Sequence, residues 1–169
     1  MATLHYFAYG SNLSTPRLRA RVPSARLLSV GYLPGHRLAF HKAGIDGSAK
    51  CDVVRTHTPS DRVYGAVFRL DAAELPRLDE AEGPRYERRD EALFTIGGEP
   101  LTAFTYKALH IDSALQPYTW YKEHVLRGAL EQGLPADYIA AAIEMIPAIA
   151  DPSADRHDRE MTIHAGLGG

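Results

Sequence analysis

Leu4-His5-Tyr6-Phe7-Ala8 leads directly into Tyr9-Gly10-Ser11-Asn12-Leu13, and that loop into Ser14-Thr15-Pro16. The first five residues are rich in aromatics and predict a strand, which stops at the turn formers Gly10, Ser11 and Asn12. Ser14 and Thr15 offer an N-cap and Pro16 suits the first helical position, so a helix begins there. A strand-to-helix turn containing glycine presents several backbone N–H groups to one point, where a carboxylate or carbonyl oxygen is favoured. Tyr6 alternates with Ala8 on the strand and is assigned to the core. Tyr9 opens the loop and is assigned to a pocket.

Strand-like runs follow at 26–33, 36–42, 50–56 and 63–70, divided by groups such as Gly44-Ile45-Asp46-Gly47-Ser48 and Thr58-Pro59-Ser60-Asp61. Asp71 with Glu74 three residues on is a capping-box-like start for a helix to about residue 82, which Gly83-Pro84 ends. Two more strands, at about 86–96 and 99–108, flank Gly97-Gly98, a two-residue hairpin signal. Beyond residue 115, apolar residues take helical spacing over 117–132 and 136–146, with Gly133-Leu134-Pro135 between them. From Asp151 the chain turns polar and is expected to dock loosely or fray. Residues 1–150 are therefore read as one domain and 151–169 as a tail. A strand-rich core with helices at one end is an α+β fold.

The chain of 169 residues is long enough to bury one core unaided. Its formal charge of −2 offers nothing to a phosphate backbone, so no nucleic acid is expected as a partner. Arg17, Arg19 and Arg21 form the densest basic run and are assigned to a solvated helix face. The single cysteine, Cys51, excludes a disulfide framework and a multi-thiolate zinc site. Within the strand expected at 50–56 it reads as packing rather than as a nucleophile. None of the 8 histidines is paired at His-x-His or His-x-x-x-His spacing, so no metal is expected. No GxxxxGK[ST] or GxGxxG loop supports a nucleotide. Tyr118, Trp120 and Tyr121 fall at helical spacing and are assigned to core and pocket lining rather than base stacking. The opening residues lack a basic segment followed by an apolar one, and no window reaches the roughly 18 apolar residues of a bilayer span. A cytoplasmic setting with no membrane partner is the expectation.

Leu75-Pro76-Arg77-Leu78-Asp79-Glu80-Ala81-Glu82-Gly83 is the most informative segment. With Leu75 at zero and about 100° per residue, Leu78 falls at about −60°, Glu82 at about −20°, Asp79 at about +40° and Glu80 at about +140°. Glu82 thus lies between two leucines on the buried stripe, and Glu80 faces away. A carboxylate on the apolar side is costly unless something there uses it, as a general acid/base would. The other reading of the same spacing is a helix end where Glu82 bends out to water.

Tyr9-Gly10-Ser11-Asn12-Leu13, the stretch Leu78-Asp79-Glu80-Ala81-Glu82-Gly83 with Tyr86, and Tyr121-Lys122 followed by Gly133-Leu134-Pro135 and Tyr138 together resemble the gamma-glutamylcyclotransferase, or AIG2-like, family. The resemblance runs from about Tyr6 to Ile146. It implies a mixed, mainly antiparallel β-barrel with flanking helices and a pocket over the Tyr9–Leu13 loop. It also implies that Glu82 is the catalytic acid/base and that Tyr9, Gly10, Ser11, Asn12 and Leu13 hold a γ-glutamyl group. Tyr86 and Tyr121 would line the site. The link Gly83-Pro84-Arg85 is shorter than in the family's animal enzymes. The implied reaction is intramolecular: the substrate's α-amine attacks its own γ-carbonyl, closing 5-oxoproline and expelling an amine. Orientation then supplies much of the rate, and no cofactor or protein nucleophile is implied. The family acts on γ-glutamyl amino acids, amines and antibiotic precursors, as monomers or homodimers. A non-catalytic binder of γ-glutamyl or carboxylate ligands, or another acyl chemistry on the same fold, stays open at this point.

Overall fold

A computed structural model describes residues 2–165. The strands are β1 (Thr3–Ala8), β2 (Arg26–Pro34), β3 (His36–Ala43), β4 (Ala49–Arg55), β5 (Arg62–Asp71), β6 (Tyr86–Thr95) and β7 (Pro100–Ala108). Five of them close a barrel in the order β1-β5-β2-β6-β7. Every pairing is antiparallel except that of β1 with β7, which meet in parallel at Tyr6 and Phe104. β1 grows more buried along its length, from exposed Thr3 to Phe7 and Ala8, and so delivers the following loop from inside the barrel wall. Phe7, Val67, Phe68, Leu70 and Leu93 fill the centre. The α+β class and the mainly antiparallel barrel agree with the expectation.

β3 and β4 leave the barrel as a separate two-stranded arm. Gly35 alone separates β2 from β3, and its φ of +69° is a conformation that suits glycine. The arm is fastened beside the end of β7: Asp52 Oδ1 accepts the Ala108 amide at 2.9 Å and the Ala43 amide donates to His110 at 2.9 Å. The β6–β7 hairpin turns at Gly97-Gly98, as its residues predict, with Gly98 at φ +87°.

The helices are α1 (Thr15–Arg21), α2 (Leu75–Glu82), α3 (Thr119–Glu131), α4 (Ala136–Ile139) and α5 (Ala154–Met161). α4 widens into a π-turn through Glu144. α1 starts as its sequence predicts, with Ser14 Oγ accepting the Arg17 amide. α2 does not. The capping box expected from Asp71 and Glu74 is absent, because Glu74 is claimed by the amide and hydroxyl of Ser24. A 3₁₀ turn at Ala72–Glu74 leads in instead, and Pro76 sits in the first helical turn. Gly83 ends α2 at φ +82°.

The polar stretch after Asp151 also departs from expectation: it folds into α5 and docks. Asp151 accepts Trp120 Nε1 at 2.8 Å and Arg156 NH2 at 2.6 Å. Glu160 meets Arg17 at 2.8 Å, and His164 meets His124 at 2.7 Å. Polar composition pointed to solvent, but these groups are spent on partners in α1 and α3 and on one another. Residues 166–169 lie outside the described residues. Among the described residues no helix is long and apolar enough to cross a membrane.

Candidate active site

The loop between β1 and α1 is shaped by its own backbone and by what packs on it. Leu13 donates to the Gly10 carbonyl at 3.1 Å and Ser14 to that of Ser11 at 3.2 Å, so Ser11–Leu13 form one 3₁₀ turn. A Cβ on Gly10 would stand 3.0 Å from Cys51 Cβ, so the loop lies hard against β4. Behind it, α3 approaches at Gly128, where a Cβ would stand 2.4 Å from the Ser14 amide. Leu13 is fully buried against that helix and borders neither cavity described below. It anchors the loop from beneath rather than facing a ligand.

Asn12 and Glu82 meet across this loop. Asn12 Nδ2 donates to Glu82 Oε1 at 2.7 Å and to the Tyr6 hydroxyl at 3.1 Å, and Asn12 Oδ1 accepts Arg21 at 3.2 Å. These three contacts set the amide's orientation unambiguously, since only one end can donate. Arg21 also stands 3.7 Å from Glu82, whose side chain is 14% exposed. Glu82 therefore points inward as the helical spacing predicts, while Glu80 is exposed, although it too borders the wider space described below. Asp79 is occupied elsewhere, accepting the Tyr106 hydroxyl at 2.6 Å and meeting Arg88 at 3.2 Å.

Three tyrosines and Cys51 build the floor. The Tyr121 hydroxyl accepts the Cys51 amide at 2.9 Å, and the Tyr86 hydroxyl donates to the Cys51 carbonyl at 2.6 Å. Tyr9 donates to the Tyr106 carbonyl at 2.5 Å. Burial holds the hydroxyls of Tyr9, Tyr86 and Tyr121 well above their ordinary range, so they stay neutral. The same burial pushes the Cys51 thiol up to about 12, which agrees with a packing role.

Two spaces share Glu82, Ser11, Tyr86 and Tyr121 as walls. The narrower is enclosed by the Tyr9–Asn12 loop with Tyr6, Cys51 and Tyr106. The wider, of about 630 Å³, opens beyond Glu82 and is lined by the cations Arg17, Arg21, Lys42, Lys50, Arg85 and Arg156. Of the expected site residues, the structure brings together Tyr9, Gly10, Ser11, Asn12, Glu82, Tyr86 and Tyr121.

Sequence reasoning missed others. Tyr6, assigned only to the core, puts its hydroxyl on Asn12. Arg17 and Arg21 are not a solvated face: Arg17 is buried and Arg21 half-buried beside Glu82. Their spacing of one helical turn, with Arg19 on the exposed side, was the available signal. Among the described residues no group of three or more His, Cys, Asp or Glu side chains gathers as a metal site.

Comparison with known proteins adds to this geometry. The model of the AIG2-like family matches residues 62–141. Human gamma-glutamylcyclotransferase is 34% identical over 139 residues, covering 79% of this chain and 73% of the relative. The mouse enzyme of the same name is 34% identical over 142 residues, covering 80% and 75%. A solved gamma-glutamyl cyclotransferase superposes with a TM-score of 0.82 at 26% identity, covering 95% of this chain and 99% of that one.

Proposed function

The chain belongs to the gamma-glutamylcyclotransferase family, and we propose that it converts a γ-glutamyl compound to 5-oxoproline and a free amine or amino acid, with Glu82 carrying the proton. The single observation that carries the role of Glu82 is its position: an inward carboxylate, hydrogen-bonded by Asn12, on the boundary between the narrow pocket and the wide cavity.

The γ-glutamyl half lies in the wide cavity at the mouth of the narrow space, against Ser11, Glu82, Tyr86 and Tyr121, with the backbone N–H groups of Gly10, Ser11 and Asn12 beside it. Glu82 takes a proton from the substrate α-ammonium. The freed amine attacks the γ-carbonyl carbon, closing the five-membered ring. The oxyanion that develops needs donors already in place, which the loop amides supply. When the C–N bond to the leaving group breaks, Glu82 returns its proton to the departing nitrogen, and the ring nitrogen gives up its second proton by the same carboxylate, leaving a neutral lactam N–H and an ammonium product. One carboxyl serves each transfer, and nucleophile and electrophile arrive in one molecule. No water is consumed. A cytoplasmic setting fits a chain whose one cysteine is kept as a buried thiol.

The test is incubation with a panel of γ-glutamyl amino acids and γ-glutamyl amines, scored for 5-oxoproline. Release from at least one member is expected. No release from any would favour a protein that binds γ-glutamyl compounds without turning them over.

A further inference from the structure

Six cations line the wide cavity, and most are already matched. Arg17 meets Glu160, Lys50 meets Asp46 at 2.9 Å, Arg156 meets Asp151, and Arg21 leans on Asn12 and Glu82. Lys42 is different. The residue is 5% exposed, yet among the described residues its side chain makes no ion pair and no hydrogen bond. Its ammonium stands over the Tyr86 ring, 4.3 Å from the centroid. The two carboxylates whose charge reaches Lys42, Glu82 and Asp46, are engaged elsewhere, Glu82 by Asn12 at 2.7 Å and Asp46 by Lys50 at 2.9 Å. Arg85 donates to the Ala43 carbonyl at 3.0 Å, one residue along from Lys42, and likewise has no carboxylate partner among the described residues.

The local fold aims Lys42 rather than merely tolerating it. Phe40 pairs with Cys51 and Lys42 already with Lys50, so His41 is the extra residue of a β-bulge. Such bulges bend a strand and redirect side chains beside functional sites. Burial lowers the Lys42 pKa while the charges of Glu82 and Asp46 act to raise it, and with no carboxylate in direct contact the ammonium keeps its capacity to donate. Arg17 also keeps a free donor, since its Nε is buried without an acceptor. The wall also carries Asp46, Glu80, Glu82 and Glu160, but six cations outnumber these four carboxylates, and the excess is complementary to an anion.

We propose that Lys42, with Arg85 beside it, grips a carboxylate on the leaving half of the substrate, making Lys42 a residue that selects acidic leaving groups over neutral amines. This rests on the cyclotransferase reading above and narrows it: the glutamyl half lies against Glu82, Ser11 and Tyr121, and the group beyond the scissile bond reaches Lys42 and Arg85 in the same wide cavity.

The test pairs γ-glutamylalanine with γ-glutamylethylamide, which differ only in the leaving-group carboxylate. The wild-type chain is expected to favour γ-glutamylalanine at least tenfold in kcat/KM, and Lys42→Met to bring the ratio within about threefold of one. Lys42→Arg should restore part of the preference, which a purely structural lysine would not do. The proposal is overturned if Lys42→Met depresses both substrates alike and leaves the ratio intact, because the lysine then serves the glutamyl half or the fold. If the wild-type chain turns over neither, the cyclotransferase reading fails, and the proposal is decided by binding alone. Calorimetric titration of both compounds into Glu82→Gln and into Lys42→Met/Glu82→Gln should show a tenfold preference for the acid only in the first. Equal affinities there would overturn the proposal.

Discussion

Asn12 and Glu82 lie 70 residues apart in the chain and 2.7 Å apart in the fold, donor to acceptor. This contact joins the loop after β1 to the last residue of α2, so the carboxylate's position depends on a side chain that is itself held by Tyr6 and Arg21.

Glu82→Gln removes the only proton carrier in the proposed cycle while keeping side-chain volume and an oxygen acceptor. Turnover is expected to fall by about 10²- to 10⁴-fold. The thermal midpoint should change little, because the side chain is at a helix end and the Asn12 bond can persist. A 5-oxoproline assay beside a melting curve checks both, and near-normal turnover would remove Glu82 from the mechanism.

Asn12→Ala tests positioning rather than proton transfer. A hydrogen bond to a charged group is worth about 1.5–3 kcal/mol, so kcat should drop by about tenfold to a hundredfold while Glu82 is still present. If kcat holds and only KM rises, Asn12 holds substrate and does not orient the carboxylate.

Gly128→Ala tests the support beneath the loop. Its new Cβ would stand 2.4 Å from the Ser14 amide and 2.5 Å from the Leu13 carbonyl carbon, both backbone atoms that cannot swing aside. A loss of about 1–3 kcal/mol is expected, or about 3–10 °C in the thermal midpoint, with activity falling alongside as the loop shifts. Gly97→Ala is the control: its Cβ meets nothing nearer than 3.8 Å.

Acidification should loosen α5. His124 is fully buried and its pKa is pushed down to about 4, chiefly by burial. Its Nε2 faces Glu160 at 3.1 Å and its Nδ1 faces His164 at 2.7 Å. Glu160 is held down to about 2, first by the His124 hydrogen bond, with Arg17 also facing it. A carboxylate only accepts, so the neutral His124 ring donates from Nε2 and accepts from His164. Between the ordinary histidine range and pH 4 the unfolded chain binds a proton here that the folded chain does not. Stability therefore falls as pH drops through that window, by at most about 3 kcal/mol from this group. Glu160 adds to the loss below the ordinary carboxylate range. Melting curves from pH 7 to 4 should slope downward, and His124→Asn should flatten that slope whatever it does to the value at pH 7.

What was legible in the chain follows the reach of the chemistry. The loop at Gly10–Asn12, the hairpin at Gly97-Gly98 and the inward face of Glu82 are all set by neighbours within a turn or two, and their residues announced them. The capping of α2 was not legible, because Ser24, 50 residues away, takes the Glu74 carboxylate. Arg17 looked solvated for the same reason: its carboxylate partner is 143 residues further on. Lys42 sits in a strand whose alternation tells which face is buried, but not that the carboxylates across the cavity are engaged by other partners. Long-range pairing of polar groups is invisible to periodicity, and it is long-range polar pairing that finishes this site.

Glu160 and Arg156 belong to α5 and yet border the cavity that begins at Ser11. During synthesis the barrel seam between β1 and β7 can close once Phe104 has emerged, but Arg17 stays without its carboxylate until the ribosome has passed residue 160. A nascent chain can thus have a finished barrel and still lack one side of its cavity.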